Sequence, residues 1–155
     1  MRIIALSLSI SIFLGISPAQ ADFDSAREAY AKGDYATAFN EMKTLAENGH
    51  VGAQSTLGSM YLSGKGVAKD STQALLWYAR AAEQGDAKAQ SLLGSMYFFG
   101  TGVSHDDVQA YMWLSLAAEQ GDKMAVELRD KLAARMSADK VKEAKQVARK
   151  WKQKK

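Results

Sequence analysis

The 155-residue chain contains no cysteine and only two histidines, His50 and His105. The missing cysteines exclude disulfides, thiolate metal sites and the lipidated cysteine of a bacterial lipoprotein, so folding has to rest on packing alone. Two histidines are too few to converge with carboxylates on a hydrolytic metal centre. Long apolar runs are also missing. The one candidate, Ile3 to Ile16, is broken by serines and falls short of the ~20 residues that span a bilayer.

That run is more informative for its context. Met1 and Arg2 precede it, and Ser17-Pro18-Ala19-Gln20-Ala21 follows, which is the order of a secretory signal peptide with an Ala-x-Ala cleavage site. Removal after Ala21 is expected, leaving residues 22–155 as one domain with no membrane-spanning segment. A Gram-negative periplasm suits a cysteine-free exported protein better than a eukaryotic secretory route, where small domains are often disulfide-bonded.

Internal repetition decides the fold. Leu57-Gly58-Ser59-Met60-Tyr61 recurs as Leu93-Gly94-Ser95-Met96-Tyr97, and Ala81-Ala82-Glu83-Gln84-Gly85-Asp86 as Ala117-Ala118-Glu119-Gln120-Gly121-Asp122. Laid over each other, residues 53–88 and 89–124 share 21 identities in 36 positions. A period of this size belongs to two-helix solenoid units. The first helix of a unit carries Ala53, Leu57, Met60 and Tyr61 at i, i+4, i+7 and i+8, and ends at Gly64-Lys65-Gly66, where positive φ lets the chain turn. The second starts near Asp70 or Ser71, runs through Ala74, Trp77, Tyr78, Ala81 and Ala82, and closes at Gly85. Asp86 then caps the next helix.

The spacing predicts eight helices in an all-α, right-handed solenoid of stacked antiparallel pairs. Residues 22–49 form a shorter pair with a tight turn, 50–85 and 86–121 two full repeats, and 122–155 a terminal half repeat plus a basic capping helix. Ser137 is the expected cap of that last helix, whose Val141, Ala144, Val147, Ala148 and Trp151 share one side.

These residues resemble the Sel-one-like repeats of the tetratricopeptide superfamily, with the pattern A-x-x-x-L-G-x-x-Y-x-x-G-x-G-V-x-x-D followed by A-x-x-W-Y-x-x-A-A-x-x-G. Ala53, Leu57, Gly58, Tyr61, Gly64, Gly66, Val67, Asp70, Ala74, Trp77, Tyr78, Ala81, Ala82 and Gly85 fit it, as do their counterparts in the next copy, save that Leu114 replaces the tyrosine. The resemblance implies protein binding or scaffolding without catalysis. Some cysteine-rich bacterial members have been linked to β-lactam binding or hydrolysis, and the cysteine-free chain departs from that branch.

Other chemistries fare worse. Ser137-Ala138-Asp139-Lys140 matches S-x-x-K, but no S-D-N or K-T-G accompanies it, so a β-lactam hydrolase ranks third among the functions considered. His50 sits where Asp86 and Asp122 cap helices, and His105 replaces Lys69 in a loop. The paired glycines of the loops read as turns, because a phosphate loop needs a strand and a Lys-Ser/Thr. No catalytic, cofactor or metal residue is assigned.

Two surfaces remain as partner sites. The first helices of a solenoid line its concave face, and positions that vary between copies point to specificity: Thr56 becomes Leu92, Leu62 becomes Phe98 and Ser63 becomes Phe99. Phe98 and Phe99 are adjacent, so one helix side cannot bury both, and one is left as an anchor for a protein or peptide. The second surface is electrostatic. Residues 22–128 hold 8 Lys plus Arg against 14 Asp plus Glu, whereas residues 129–155 hold 11 against 3. Lys150, Lys152, Lys154 and Lys155 suit the negative end of their own helix dipole, and they also suit an anionic envelope component: phospholipid, lipopolysaccharide or peptidoglycan. Export argues against nucleic acid. A periplasmic adaptor binding a peptide or protein is therefore the leading expectation, and an envelope-ligand protein the alternative.

Overall fold

A computed structural model describes residues 18–153. The predicted leader lies outside these residues up to position 17, as do Lys154 and Lys155. Eight helices occupy the described chain: α1 (Pro18–Ala31), α2 (Tyr35–Glu47), α3 (Val51–Ser63), α4 (Ser71–Glu83), α5 (Ala87–Phe99), α6 (Asp107–Glu119), α7 (Lys123–Arg135) and α8 (Ala138–Gln153). Among the described residues there is no strand, and the architecture is the expected α-solenoid. No described helix is long and apolar enough to cross a membrane. Because α1 begins at Pro18, cleavage after Ala21 would remove its first turn.

Helix starts follow the repeat. Asp70 and Asp106 each accept from two backbone N–H groups at 2.9–3.0 Å, and Asp86 and Asp122 from one, on Ala89 and Ala125. His50 does the same job with its ring, Nδ1 accepting from the Ala53 N–H at 3.2 Å. Each such cap stabilises its helix by about 1 kcal/mol. Ser137 receives the Lys140 N–H at 3.3 Å, so its hydroxyl is occupied as a helix cap.

The long loops carry the repeat geometry onward. Gly64 and Gly100 end their helices in the left-handed region, with φ of 73° and 68°. Two residues later Gly66 and Gly102 press against the backbone carbonyls of Tyr35 and Ser71, the first residues of α2 and α4, leaving no room for a Cβ. Each loop thus docks on the second helix of the preceding unit.

Packing runs from neighbour to neighbour. Ala38, Met42, Ala53, Leu57 and Met60 close the first interface, and Ala74, Tyr78, Ala82, Ala89 and Leu93 the next, all essentially inaccessible. Small residues permit the close approach: Gly58 lies under the Tyr78 ring, and Gly94 under Leu114, the residue that replaces that tyrosine. Buried glutamines stitch successive units. Gln54 donates to the Ala46 carbonyl and accepts from Gln84 at 2.7 Å; one repeat on, Gln90 donates to the Ala82 carbonyl and accepts from Gln120 at 2.8 Å.

The last helix leaves the pattern. Its principal neighbour is α6, not α7. It runs in the direction of α6, from α7's end, where Arg135 pairs with Asp107, to Lys152 on Glu119. Ala144 and Ala148 are buried against it. The face covered is one that α4 leaves open. Leu76 is 49% exposed, while its counterpart Met112 is 4% exposed, and the exposed Arg80 becomes the buried Leu116. In this position α8 covers the second helix of the last full repeat.

Candidate functional site

The first-helix face carries two adjoining depressions. One, of about 330 Å³, is lined by Arg27, Tyr30, Ala31, Met42, Thr56, Ser59 and Lys88. The next, of about 310 Å³, is lined by Ser59, Leu62, Ser63, Tyr78, Lys88 and Leu92. Ser59 and Lys88 belong to both, so the two form one groove across α1, α3 and α5. Three residues picked from the sequence, Thr56, Leu62 and Leu92, come together in it.

Local chemistry explains its shape. Thr56 bonds back to the Gly52 carbonyl at 2.8 Å, which turns its methyl and hydroxyl into fixed features of the helix surface. Ser59 and Tyr78 share a hydrogen bond of 2.8 Å at the groove floor. Burial pushes the Tyr78 hydroxyl's pKa up, and the bond with Ser59 partly opposes that shift, so Tyr78 is a neutral phenol in the working range. Both ionic lining residues, Arg27 and Lys88, are cationic; no acid lines either depression. Arg27 is engaged by Asp24 at 3.8 Å and lies over the Phe23 ring, whereas Lys88 has no partner among the described residues. The groove is therefore apolar with one available ammonium at its middle.

The two phenylalanines separate as adjacent helical positions must. Phe99 is 68% exposed and stands two turns beyond Leu92 on the same side of α5. Phe98 turns toward α7, where the Arg135 guanidinium lies 4.2 Å from its ring centre and the His105 Nδ1 sits 2.8 Å from its carbonyl. Phe98 is thus packed and Phe99 accessible. Of the basic residues, Lys150 is exposed, Lys152 pairs with Glu119, and Lys154 lies outside the described residues.

Sequence reasoning passed over Lys88, Arg27 and Tyr30. Lys88 becomes Met124 in the next copy, the same between-copy variation that singled out Thr56, so the signal was present. No group of three or more His, Asp or Glu residues able to hold a metal occurs among the described residues. His105 Nε2 lies 2.8 Å from Asp107, and Arg135 reaches the same carboxylate at 3.1 Å, which makes this cluster a loop-to-helix tie.

Residues 51–86 and 87–122 match the Sel1 repeat model. The fold is similar to that of c5321, a protective antigen present in uropathogenic Escherichia coli strains, at 30% identity and a TM-score of 0.82 over 87% of this chain. The chain spans only 30% of that protein's length. It is also similar to a Sel1 repeat protein from Oxalobacter formigenes, at 38% identity and a TM-score of 0.67, covering 74% of this chain and 89% of that one. Helicobacter pylori cysteine rich protein B shares the fold at 22% identity and a TM-score of 0.56, over 72% of this chain and 97% of its own. No curated protein matches.

Proposed function

The chain belongs to the Sel1 repeat family, whose repeats commonly serve as protein-interaction modules, and from that premise we propose that it is a non-catalytic periplasmic adaptor holding a peptide in its first-helix groove. The observation that carries this is the continuity of the groove: apolar Leu62 and Leu92 flank Lys88, with no acid to neutralise it. An extended segment bearing an acidic side chain or a terminal carboxylate between apolar residues fits that pattern. Its carboxylate would pair with Lys88, and its flanking side chains would cover Leu92 and reach Phe99. Periplasmic location rests on the leader-like segment of residues 1–21.

A screen of random peptides tests the groove. Acidic-apolar sequences should be enriched, and Lys88→Glu should weaken the selected peptides at least about tenfold, the equivalent of roughly 1.4 kcal/mol. Enrichment that is indifferent to Lys88→Glu and to Leu92→Asp would sink the proposal. N-terminal sequencing of protein recovered from a periplasmic fraction tests the location, with Asp22 as the expected first residue.

A second reading, attachment to an anionic envelope component, draws on the exposed lysines of α8, Lys142, Lys145 and Lys150 among them. Such binding would weaken steeply with added salt, and peptide capture by the groove much less.

A further inference from the structure

The basic C-terminal region contains a formed cleft whose lining shares no residue with the groove. It measures about 310 Å³ between α6, α7 and α8, and its lining includes Arg129, Lys145, Arg149 and Lys152, together with Ser115 and Glu119. Four cations thus face one carboxylate. Lys152 is paired with Glu119. The Arg129 guanidinium, 26% exposed, bonds Asp130 through Nε and one terminal nitrogen at 3.0 and 2.8 Å. The Nε of Arg149 donates to the Lys145 carbonyl at 3.3 Å, leaving its terminal nitrogens available. The Lys145 ammonium has no partner among the described residues.

An independent feature lies among the same residues. Ser115 is 8% exposed, and its buried hydroxyl has no hydrogen-bond partner among the described residues. Helical serines in this protein ordinarily satisfy themselves on the carbonyl four residues back, as Ser59, Ser63 and Ser95 do. Ser115 does not, although an unmade bond costs about 1–3 kcal/mol. Nor does the fold call for a hydroxyl there, since the counterpart in the preceding unit is Ala79.

We infer that this cleft binds a phosphate group. Arg149 presents the planar fork of its two terminal nitrogens to phosphate oxygens, Arg129 on another helix adds the terminal nitrogen that Asp130 leaves unused, and Lys145 adds an unpaired charge. The excess of cations over Glu119 and Asp130 matches a phosphomonoester better than a singly charged carboxylate. The unpartnered Ser115 hydroxyl, buried in the cleft wall, supplies a short-range donor once its side chain turns toward the cleft, a contact that nonspecific attraction does not need. The inference goes beyond the peptide groove and stands whatever that groove holds. A lipid headgroup and a free phosphorylated solute share the chemistry, and the test separates them.

The full-length protein, freed of its leader if the cell removes it, is titrated with inorganic phosphate at constant ionic strength by calorimetry. Its sedimentation is also measured with vesicles containing phosphatidic acid or, at matched charge, phosphatidylglycerol. Saturable phosphate binding is expected, weakened about tenfold by Arg129→Gln or Arg149→Gln and about fivefold by Ser115→Ala. Lys140→Gln and Lys142→Gln, which remove charge from α8 outside the cleft, should leave it unchanged, and circular dichroism verifies that every variant is folded. Preference for phosphatidic acid, with phosphate competing, assigns the cleft to a lipid headgroup. Phosphate binding without vesicle binding assigns it to a solute. Absence of both, or equal losses in Lys142→Gln and Arg149→Gln, overturns the inference. Salt-sensitive vesicle binding indifferent to Ser115→Ala would overturn it while leaving envelope attachment standing.

Discussion

Trp151 of α8 meets Trp113 of α6 edge to face, with ring centroids 5.5 Å apart and planes inclined at 71°. The contact lies at the far end of α8 from its Ser137 cap, so the helix is fastened at both ends of its run along α6. Replacing Trp151 with Ala should therefore release the C-terminal turns of α8 and uncover Leu116. A buried Trp→Ala change costs about 3–5 kcal/mol; for the half-buried Trp151 about 2 kcal/mol is expected. Hydrogen exchange should show lost protection in α8 while α1 to α4 keep theirs, because solenoid units stabilise only their neighbours. Intact protection of α8 would contradict this account.

The glutamine stitches make a graded prediction. Gln90→Ala removes a buried side chain together with its bonds to the Ala82 carbonyl and the Gln120 amide, and should cost about 1–3 kcal/mol in urea unfolding. Gln120→Ala removes a side chain from an exposed position, where water can replace it, and should cost less than about 1 kcal/mol. The reverse order would show that the ladder is not what joins these units.

Gly66 and Gly85 separate two costs that are often confounded. Both have positive φ, 74° and 95°, but a Cβ at Gly85 meets open space, whereas at Gly66 it would run into the Tyr35 carbonyl. Gly85→Ala should cost about 1–2 kcal/mol of conformational strain. Gly66→Ala should cost that plus a further 1–3 kcal/mol or so from displacement of the loop. Equal melting temperatures for the two variants would deny the loop docking described above.

Tyr78 predicts a pH response on the alkaline side. Its folded pKa lies above the ordinary value of 10 because burial disfavours the phenolate. The folded state therefore holds this proton more tightly than the unfolded chain does. The linked stability is present in full below pH 10 and is lost as pH rises from there through the folded pKa. Chemical denaturation between about pH 9 and pH 11 should show this decline, and Tyr78→Phe should remove the part due to Tyr78. An unchanged slope in the variant would exclude Tyr78 as its source.

Much of this architecture was legible because it is written twice. The 36-residue recurrence marks Asp70 with Asp106 and Gly64 with Gly100 as the ends of equivalent helices, and local capping chemistry makes those ends nearly independent of distant contacts. The placement of α8 on α6 was not legible, since an amphipathic helix declares that one side is buried without naming its neighbour. A trace existed in Leu76 becoming Met112 and Arg80 becoming Leu116, a face gaining apolar character where the repeat gives no reason for it. The groove was read in part. Between-copy variation found Thr56, Leu62 and Leu92, but which residue of the Phe98–Phe99 pair stays accessible depended on Arg135, 36 residues beyond Phe99. Lys88 escaped because charged helix residues are usually solvated and nothing in the sequence says that its surroundings lack an acid.

The docking of Gly66 on Tyr35 and of Gly102 on Ser71 repeats at one interval, backbone against backbone. It acts as a ruler. The step from unit to unit is set by main-chain contacts that carry no side-chain information, so a copied 36-residue segment would lengthen the array by the same increment each time. Reach and selectivity can then be inherited separately: duplication changes how far the binding face extends, while substitutions at positions such as Thr56, Lys88 and Leu92 change what it accepts.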